Sequence, residues 1–403
     1  MAQEAALKFE ISDQDAPASA VEVSIVMPCL NEADTLATCI EKAQRGLREA
    51  GIEGEVIIAD NGSTDRSPEI ARSLGARVVH VEEKGYGNAL MGGINAARGT
   101  YVLMGDADDS YDFLDIAKFV HKLREGFDLV QGCRLPSGGG TVLPGAMPFL
   151  HRWWGNPMFS LFARWWFGAP VNDVYCGLRG FRKDFYQRLD QRCTGMEFAT
   201  EMIIKSSLYH AKIAEVPIHL HPDGRKSHAP HLKTFRDGWR TLRFFLMYSP
   251  RWLFLHPGIL LIALGILGYC LALPGITIWK MTLDAHSLLF ASLAILCGYQ
   301  SVQFAVFTKL FAITEGLMPP DPRLNKMFEL VNLERGLIFG IVTLIAGVAL
   351  LLAAINQWRL AHFGHLDYGH TMRWVIPGAT LTAVGFQTIL ASFFVSILGM
   401  RRK

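Results

Sequence analysis

Two carboxylates beside a short apolar run are the residues of this chain whose chemistry is easiest to state. Asp106 and Asp108 are separated by one residue and follow the apolar run Tyr101–Met104. Carboxylates with this spacing at the end of a strand can both turn onto one hard cation, which keeps positions for phosphate oxygens of a substrate. An isolated pair of this kind is more often a solvated turn, so its meaning depends on the elements around it.

The elements that must position this pair occur three times along the chain. The segments 23–32 and 56–65 each begin with an apolar strand pattern, as does the segment before Asp106, and an acidic side chain follows each strand. Open α/β sheets bind their ligands at the carboxyl ends of the strands. The sequence therefore predicts an α/β domain with a ligand site at that edge.

Composition limits the classes of protein to be considered. The chain has 403 residues, a formal net charge of +2 and 50% hydrophobic residues. Such a small charge argues against nucleic acid as the main partner. The seven cysteines are odd in number and lack a C-x-x-C pair, which predicts reduced thiols of a cytosolic compartment. Residues 1–20 are acidic and polar, and we expect a flexible tail without a signal peptide.

The later part of the chain is apolar enough to cross a membrane. A crossing helix needs about 20 mostly apolar residues. Basic residues between the second and third apolar windows (Lys309, Arg323, Lys326 and Arg335) and at the C-terminus (Arg401, Arg402 and Lys403) predict that both places are cytoplasmic. The N-terminal domain is then cytoplasmic as well. The four windows are Ile259–Ile278, Leu288–Phe307, Leu337–Ile355 and Val375–Leu398, and Leu273-Pro274-Gly275 is expected to kink or stop the first.

Two segments combine aromatic and basic residues. Phe149–Phe167 contains four tryptophans, and Lys233–Trp252 alternates arginines with aromatic residues directly before the first window. Amphipathic helices of this composition lie at the level of lipid headgroups. We therefore divide the chain into the tail (1–20), the α/β domain (21–232), an interfacial helix (233–252) and a domain of four transmembrane helices (253–403).

The order of several motifs resembles one family. The motifs are Pro28-x-x-Asn31-Glu32, Asp60-Asn61-Gly62-Ser63-x-Asp65, Gly85-x-Gly87-x-Ala89, Asp106-Ala107-Asp108 and Gly132-x-Arg134. Over roughly residues 21–245 the chain resembles family 2 glycosyltransferases of the GT-A, Rossmann-like fold. It is most similar to polyprenyl-phosphate sugar synthases of the dolichyl-phosphate mannose or glucose synthase type. The resemblance implies a UDP- or GDP-hexose donor, Mg²⁺ or Mn²⁺, inversion at the anomeric carbon and a polyprenyl phosphate acceptor in the membrane.

The resemblance also implies roles for residues on the donor side. Asp60 would accept hydrogen bonds from the nucleobase, and Asp106 and Asp108 would hold the metal ion against the donor diphosphate. Asn61 stands where many relatives have a second aspartate, and we expect this departure to affect base or ribose contacts. The remaining donor-binding candidates are Pro28, Asn31 and Glu32 around base and ribose, Gly62, Gly85 at a helix start beside the nucleotide, and Arg225 and Lys226 in a loop that closes over the diphosphate.

On the acceptor side the resemblance implies cationic residues. Arg134, Arg152 and Asn156 are at positions that bind the acceptor phosphate, and the planar guanidinium suits that task. Asp108, Asp173 and Arg134 are the catalytic candidates. Some relatives are assigned a catalytic base at the position of Asp173. Because a phosphate monoester is already an anionic nucleophile, we expect Asp173 to position or stabilise charge instead.

Two other functions remain open at this point. A family 2 enzyme acting on another lipid or a growing polysaccharide would carry a Q-x-x-R-W motif, but Phe149 and Tyr248 occupy the glutamine positions here. A non-catalytic membrane scaffold on the same fold is the other alternative, and the intact acidic motifs argue against it. The sequence leaves the base, the sugar and the oligomeric state open, and a homo-oligomer is compatible with it.

Overall fold

The chain forms two compact units in a computed structural model. They are the N-terminal unit, Met1–Phe245, and the C-terminal unit, Leu246–Lys403, and each is described by itself. The structure describes residues 21–225, 234–278, 281–322 and 332–400. Several predictions concern residues outside these ranges, namely the tail 1–20, Lys226, Lys233, Arg323, Lys326 and the basic C-terminus.

A mostly parallel sheet forms the centre of the N-terminal unit. Its strands are β1 Val23–Cys29, β2 Gly54–Asp60, β3 Arg77–His80, β4 Tyr101–Met104, β5 Leu129–Cys133, β7 Arg179–Arg182 and β8 Ile213–Pro217, while β6 Thr141–Val142 pairs with β9 His219–Leu220. The seven strands are ordered β3-β2-β1-β4-β7-β5-β8. The GT-A fold predicted from the motifs is therefore confirmed.

Helices cover both faces of this sheet, as in other α/β folds. They are α1 Leu36–Glu49, α2 Ser67–Ser73, α3 Tyr86–Ala96, α4 Ile116–Arg124, α5 Asn156–Phe167, α6 Lys183–Leu189, α7 Phe198–Leu208 and α8 Thr234–Met247. In α1 the buried residues Leu36, Ile40, Ala43 and Leu47 recur at helical spacing. The central strands β1 and β2 are mostly apolar because both of their faces are buried over most of their length.

One strand runs against the others and was not predicted. β7 is antiparallel to both β4 and β5, and its first residue, Arg179, pairs with Met104 on one side and Gln131 on the other. The segment that leads into β7 therefore emerges between the carboxyl ends of β4 and β5. This places residues 173–178 beside both Asp106 and Arg134.

The tryptophan-rich segment is a helix with an exposed apolar side. It contains a π-helical turn, His151–Gly155, that continues into α5. The side chains of Trp153, Trp154 and Trp165 are 57%, 70% and 63% exposed. Trp166 instead stacks on Phe162 inside the unit. Three of the four tryptophans thus lie on the surface, as expected for an interfacial helix.

Among the described residues of the C-terminal unit, four helices are long and apolar enough to cross a membrane: Arg251–Ala272, Ala285–Thr314, Leu333–Leu360 and Tyr368–Gly399. We label them α9 (His256–Ala272, after the π-helical turn Arg251–Leu255), α10, α11 and α12, and a small hairpin of β10 Thr277–Ile278 and β11 Met281–Thr282 follows α9. The first helix ends before Leu273-Pro274-Gly275, as predicted. Within the predicted interfacial segment 233–252 the structure has α8, which ends at Met247, while Arg251 and Trp252 lie in the first candidate crossing helix; the interfacial role stays a prediction.

Candidate active site

The carboxyl ends of β1, β2 and β4 bring the predicted donor residues together. Parallel pairing sets Cys29 beside Asp60, and Val26 beside Met104. The loops after these strands therefore start at the same edge of the sheet. Pro28 is the second-last residue of β1 and pairs with Ala59. Strand register thus explains why motifs far apart in sequence form one site.

Asp60 is buried at this edge, with 2% of its surface exposed. Its Oδ1 accepts a hydrogen bond from the Ser63 amide at 3.0 Å, and its Oδ2 lies 3.0 Å from Nδ1 of His80. Hydrogen bonds of this kind compensate for the loss of water around a buried carboxylate. The sequence motif identified Asp60, but it gave no sign of His80, which comes from the neighbouring strand.

Two asparagines shape the loops around Asp60. Asn31 has a positive φ of 61°, which asparagine tolerates, and its Oδ1 accepts the Thr64 amide at 2.8 Å. The Asn61 amide donates to the carbonyls of Val81 and Glu83, and its oxygen accepts the Gly85 amide. An aspartate could not make both donations. Asn61 therefore fixes the loop before α3, and its effect on base or ribose contacts stays a prediction.

Two glycines let neighbouring atoms approach the backbone around this loop closely. Gly62 has a φ of 88°, and a Cβ there would lie 2.0 Å from Nζ of Lys84. Gly85 has a φ of 139°, and a Cβ would lie 2.4 Å from the Thr194 carbonyl oxygen. Both positions therefore require glycine. As predicted, Gly85 serves the packing of a helix start, since α3 begins at Tyr86.

Asp106 is held by a residue that the motifs did not reveal. The Tyr86 hydroxyl donates to its Oδ1 at 2.9 Å. Burial and the negative charge of Asp108 together raise the pKa of Asp106 to about 6, although the hydrogen bond from Tyr86 and the charge of Arg225 lower it. Two carboxylates of like charge thus lie in one partly buried site. The one sequence feature that could have pointed to Tyr86 is its place between two glycines at the start of a helix.

Asp108 and Glu32 meet at Arg225, which comes from much later in the chain. Nε of Arg225 lies 2.7 Å from Oε2 of Glu32, and its Nη2 lies 3.4 Å from Oδ2 of Asp108. Burial lowers the pKa of Arg225, but the bond to Glu32 and the charges of Asp108 and Asp223 raise it by more. The predicted donor loop therefore places a permanently charged guanidinium in the acidic site. Lys226 lies outside the described residues.

The residues present suit a divalent ion such as Mg²⁺. Gly177 leaves Oδ2 of Asp106 uncovered, since a Cβ there would lie 2.8 Å from this oxygen. The described residues contain no cluster of three or more acidic, histidine or cysteine ligands. Mg²⁺ commonly binds through one or two carboxylates and completes its shell with water and substrate phosphates. Asp106 and Asp108 therefore fit such an ion when a diphosphate supplies the other ligands.

Arg134 and Asp173 form a buried ion pair. Nε and Nη2 of Arg134 contact the two carboxylate oxygens of Asp173 at 2.7 and 2.9 Å, and the Arg134 backbone amide donates to Oδ2 at 3.1 Å. Asp173 has no exposed surface. A carboxylate that accepts three such bonds is poorly placed to remove a proton from a substrate. The geometry agrees with the expected positioning role of Asp173.

Arg152 and Asn156 make different contacts. The guanidinium of Arg152 lies over the Trp153 ring, 5.4 Å from its centre, and its Nε is buried without a hydrogen-bond partner among the described residues. Asn156 is 8% exposed and donates to Sδ of Met147 at 3.3 Å. The structure therefore gives the two side chains no shared contact, and their joint binding of a phosphate stays a prediction.

The site described above is an acidic edge of a GT-A sheet, and known proteins of similar sequence carry the same domain. The family model "Glycosyl transferase family 2" matches residues 24–190, and "Glycosyltransferase family 2 C-terminal transmembrane region" matches residues 306–399. The low-salt glycan biosynthesis hexosyltransferase Agl6 of Haloferax volcanii is 37% identical over 379 residues, which are 94% of this chain and 89% of that protein. The chain therefore belongs to glycosyltransferase family 2, and it carries a transmembrane region.

Two further similarities cover the N-terminal part. A dolichyl-phosphate hexose transferase of Haloferax volcanii is 33% identical over 198 residues, which are 49% of this chain and 82% of that protein. A crystal structure of glucosyl-3-phosphoglycerate synthase from Mycobacterium tuberculosis, in complex with Mn²⁺, UDP and its product, aligns with a TM-score of 0.46 and 21% identity. It covers 57% of this chain and 80% of that one.

Proposed function

We propose that this protein transfers one hexose from a UDP- or GDP-sugar to a polyprenyl phosphate and forms a polyprenyl-phosphate-hexose. The observation that carries the proposal is an acidic donor site and an exposed tryptophan-rich helix on the same N-terminal unit, in a chain with four candidate crossing helices. An enzyme that transfers a hexose to a water-soluble acceptor would not need an exposed tryptophan-rich helix. The similarity to a dolichyl-phosphate hexose transferase supports the same acceptor class.

The donor is held by the strand ends. Asp60 accepts N–H groups of the nucleobase, and the turn Pro28–Glu32 encloses base and ribose. Asp106 and Asp108 hold Mg²⁺ or Mn²⁺, which would act as a Lewis acid on the departing diphosphate. Tyr86 keeps Asp106 oriented through its hydroxyl. Arg225 moves from the carboxylates to the diphosphate and adds positive charge where negative charge develops.

The acceptor needs orientation more than activation. A phosphate monoester is anionic at neutral pH, so its oxygen attacks the anomeric carbon without a catalytic base. The bond from that carbon to the nucleoside diphosphate breaks as the new bond forms, and a single displacement of this type inverts the anomeric configuration. Arg134, fixed by Asp173, orients the acceptor phosphate, and Arg152 with Asn156 contributes from the tryptophan-rich helix.

We propose that the reaction takes place on the cytoplasmic leaflet. Lys309 and Arg335 flank the connection between α10 and α11, and basic residues of this kind favour the cytoplasmic side. Four crossings then place the N-terminal unit on the same side. Single cysteines at 315–322, between α10 and α11, should be protected from an impermeant thiol reagent added outside intact cells, whereas one near residue 365, between α11 and α12, should react.

The decisive experiment offers radiolabelled UDP-glucose and GDP-mannose in parallel to the purified protein with polyprenyl phosphate in liposomes. We expect label in the organic extract with one donor, only when Mg²⁺ or Mn²⁺ is present. Label that remains in water-soluble or polymeric material would contradict the proposal and favour the polysaccharide alternative. Absence of hydrolysis and transfer with every donor would favour the scaffold.

Arg152→Ala tests the acceptor side separately. We expect a higher apparent KM for polyprenyl phosphate, with the KM for the sugar nucleotide little changed. Arg164→Ala is a matched control, since Arg164 lies on the same helix and contacts Asn172 instead. Equal changes of both KM values in Arg152→Ala would show that this helix does not bind the acceptor.

A further inference from the structure

His80 and Arg72 form a hydrogen-bonded chain that ends at the buried carboxylate of Asp60. Nη2 of Arg72 lies 3.0 Å from Nε2 of His80, and Nδ1 of His80 lies 3.0 Å from Oδ2 of Asp60. His80 closes β3 and pairs in register with Asp60 at the end of β2. Arg72 lies in the last turn of α2. Three consecutive elements of the fold thus contribute one residue each.

The donor and acceptor in each of these hydrogen bonds follow from which side-chain atoms can donate. A guanidinium only donates, so Nε2 of His80 must accept from Arg72. A neutral imidazole that accepts at Nε2 carries its proton on Nδ1, and this proton is then donated to Asp60. Arg72 therefore fixes the tautomer of His80, and His80 in turn fixes the carboxylate.

The remaining lone pairs of Asp60 decide what it can bind. Oδ1 already accepts from the Ser63 amide and Oδ2 from His80, so each oxygen keeps acceptor capacity on its other side. A carboxylate held in this way accepts a ring N–H. Uracil and guanine offer one next to a carbonyl, whereas the corresponding ring nitrogens of cytosine and adenine are acceptors that face the carboxylate unfavourably.

We propose that His80 is a positioning and specificity-determining residue, which orients Asp60, with support from Arg72, to select donor nucleotides whose base carries a ring N–H next to a carbonyl. This inference rests on the proposed function in one respect, the contact of Asp60 with the nucleobase. His80 acts through Asp60, and its side chain is 60% exposed beside it. Uridine and guanosine donors share this ring N–H, and binding measurements distinguish between them.

The test measures the binding of UDP, GDP, CDP and ADP to the full-length protein in detergent by calorimetry, without acceptor or transfer. The nucleotide among UDP and GDP that binds more tightly identifies the base. For it, His80→Ala should raise Kd about tenfold, the usual effect of losing a hydrogen bond to a charged group. The weaker Kd values for CDP and ADP should change less than twofold, so the selectivity falls.

Two variants separate positioning from a structural role. His80→Asn retains an amide donor near the place of Nδ1 and should recover most of the affinity, while Arg72→Ala should cost less than His80→Ala. His121→Ala is the matched control, because His121 also contacts a carboxylate, Glu125 at 2.8 Å, away from the site. In transfer assays His80→Ala should raise the donor KM and leave kcat nearly unchanged.

Defined results overturn the inference. Equal loss of affinity for all four nucleotides in His80→Ala, or no loss, would exclude a role in base selection. Asp60→Asn distinguishes this failure from failure of the proposed function. If Asp60→Asn loses selectivity and His80→Ala does not, only the role of His80 is wrong. If Asp60→Asn also keeps full selectivity, the proposed base contact itself is wrong, and the role of His80 with it.

Discussion

The N-terminal unit buries charged side chains as ion pairs, whereas the buried polar residues in the described part of the C-terminal unit are serines and threonines. Arg134–Asp173 and Lys205–Glu201 are ion pairs with 10% or less of either side chain exposed. In the C-terminal unit the Tyr269 hydroxyl lies 2.6 Å from Oγ of Ser292 on a second helix. Thr380 on a third helix completes that cluster.

Apolar residues show the same contrast. In the N-terminal unit phenylalanines such as Phe113 and Phe119 are fully buried, but in the C-terminal unit Phe290 is 70% exposed. Close contacts there are made by glycine, and a Cβ on Gly347 of α11 would lie 2.4 Å from the Thr382 amide nitrogen of α12. Water drives large apolar groups inward, while lipid does not, so crossing helices pack through small residues and hydroxyls.

The largest effect is expected in the acidic site of the N-terminal unit. Asp108→Asn removes one of two carboxylates that fit a divalent ion, and the loss of charge stabilisation should raise the barrier by several kcal/mol and abolish transfer. Labelled product and binding of Mn²⁺ followed by electron paramagnetic resonance measure the two consequences. Asp109→Asn, which changes a carboxylate paired with Lys42, should retain both. Near-native turnover of Asp108→Asn in chelated buffer would refute the metal site.

Next in size is the loss of a buried charge partner. Asp173→Asn leaves Arg134 without its counter-ion, and breaking a buried pair in this way costs about 3–5 kcal/mol of unfolding free energy. Thermal unfolding of the purified protein measures it. The surface pair Arg182–Asp184 provides the control, because Asp184→Asn should cost at most about 1 kcal/mol. Native stability of Asp173→Asn with loss of turnover would instead indicate a direct part in the reaction.

The C-terminal unit should respond to added volume rather than to lost charge. Gly347→Ala inserts a methyl group between α11 and α12, and overpacking of this kind costs about 1–3 kcal/mol. Thermal unfolding in detergent should show the loss, with nucleotide affinity unchanged because the donor residues precede this unit. Gly399→Ala is the control, because no atom of the described residues lies within 4 Å of its Cβ position. Equal stability of the two variants would contradict the close packing.

The smallest effect on stability is expected for the exposed tryptophans of the tryptophan-rich helix in the N-terminal unit. Trp153 and Trp154 are exposed, so replacing both with alanine should change the unfolding free energy by about 0.5 kcal/mol or less. Transfer to a long-chain acceptor in liposomes should nevertheless fall, while transfer to a short soluble prenyl phosphate falls less. Trp166→Ala, which removes a ring packed on Phe162, should do the reverse and destabilise the unit. Unchanged use of the long acceptor would separate this surface from the lipid.

Local sequence patterns predicted much of this molecule because they report local physics. Apolar strands followed by acidic turns identified Asp60, Asp106 and Asp108, since parallel strands align their carboxyl ends. Apolar length identified the four crossing helices, and the break at Leu273-Pro274-Gly275 was also predicted correctly.

Contacts between distant residues could not be predicted in this way. Arg225 and Glu32 are separated by 193 positions, and no local pattern joins them. The pairing of His80 with Asp60 depends on strand register, and the Tyr86 bond to Asp106 depends on how α3 is placed against β4. The first candidate crossing helix begins at the π-helical turn Arg251–Leu255, earlier than predicted, because the prediction counted apolar length and the polar residues Arg251 and His256 interrupt the apolar run.

The antiparallel strand β7 has a consequence for the order in which the protein is completed during synthesis. Strands β1 to β4 hold the donor residues and pair with one another, but β5 joins them only through β7, which leaves the ribosome after both of its neighbours. Long-range pairings of this kind form late, and exposed strand edges meanwhile invite aggregation. A nascent chain that ends before residue 179 thus leaves β4 as an unpaired edge strand. Strand β5, which Arg134 directly follows, joins the sheet only when β7 pairs with β4.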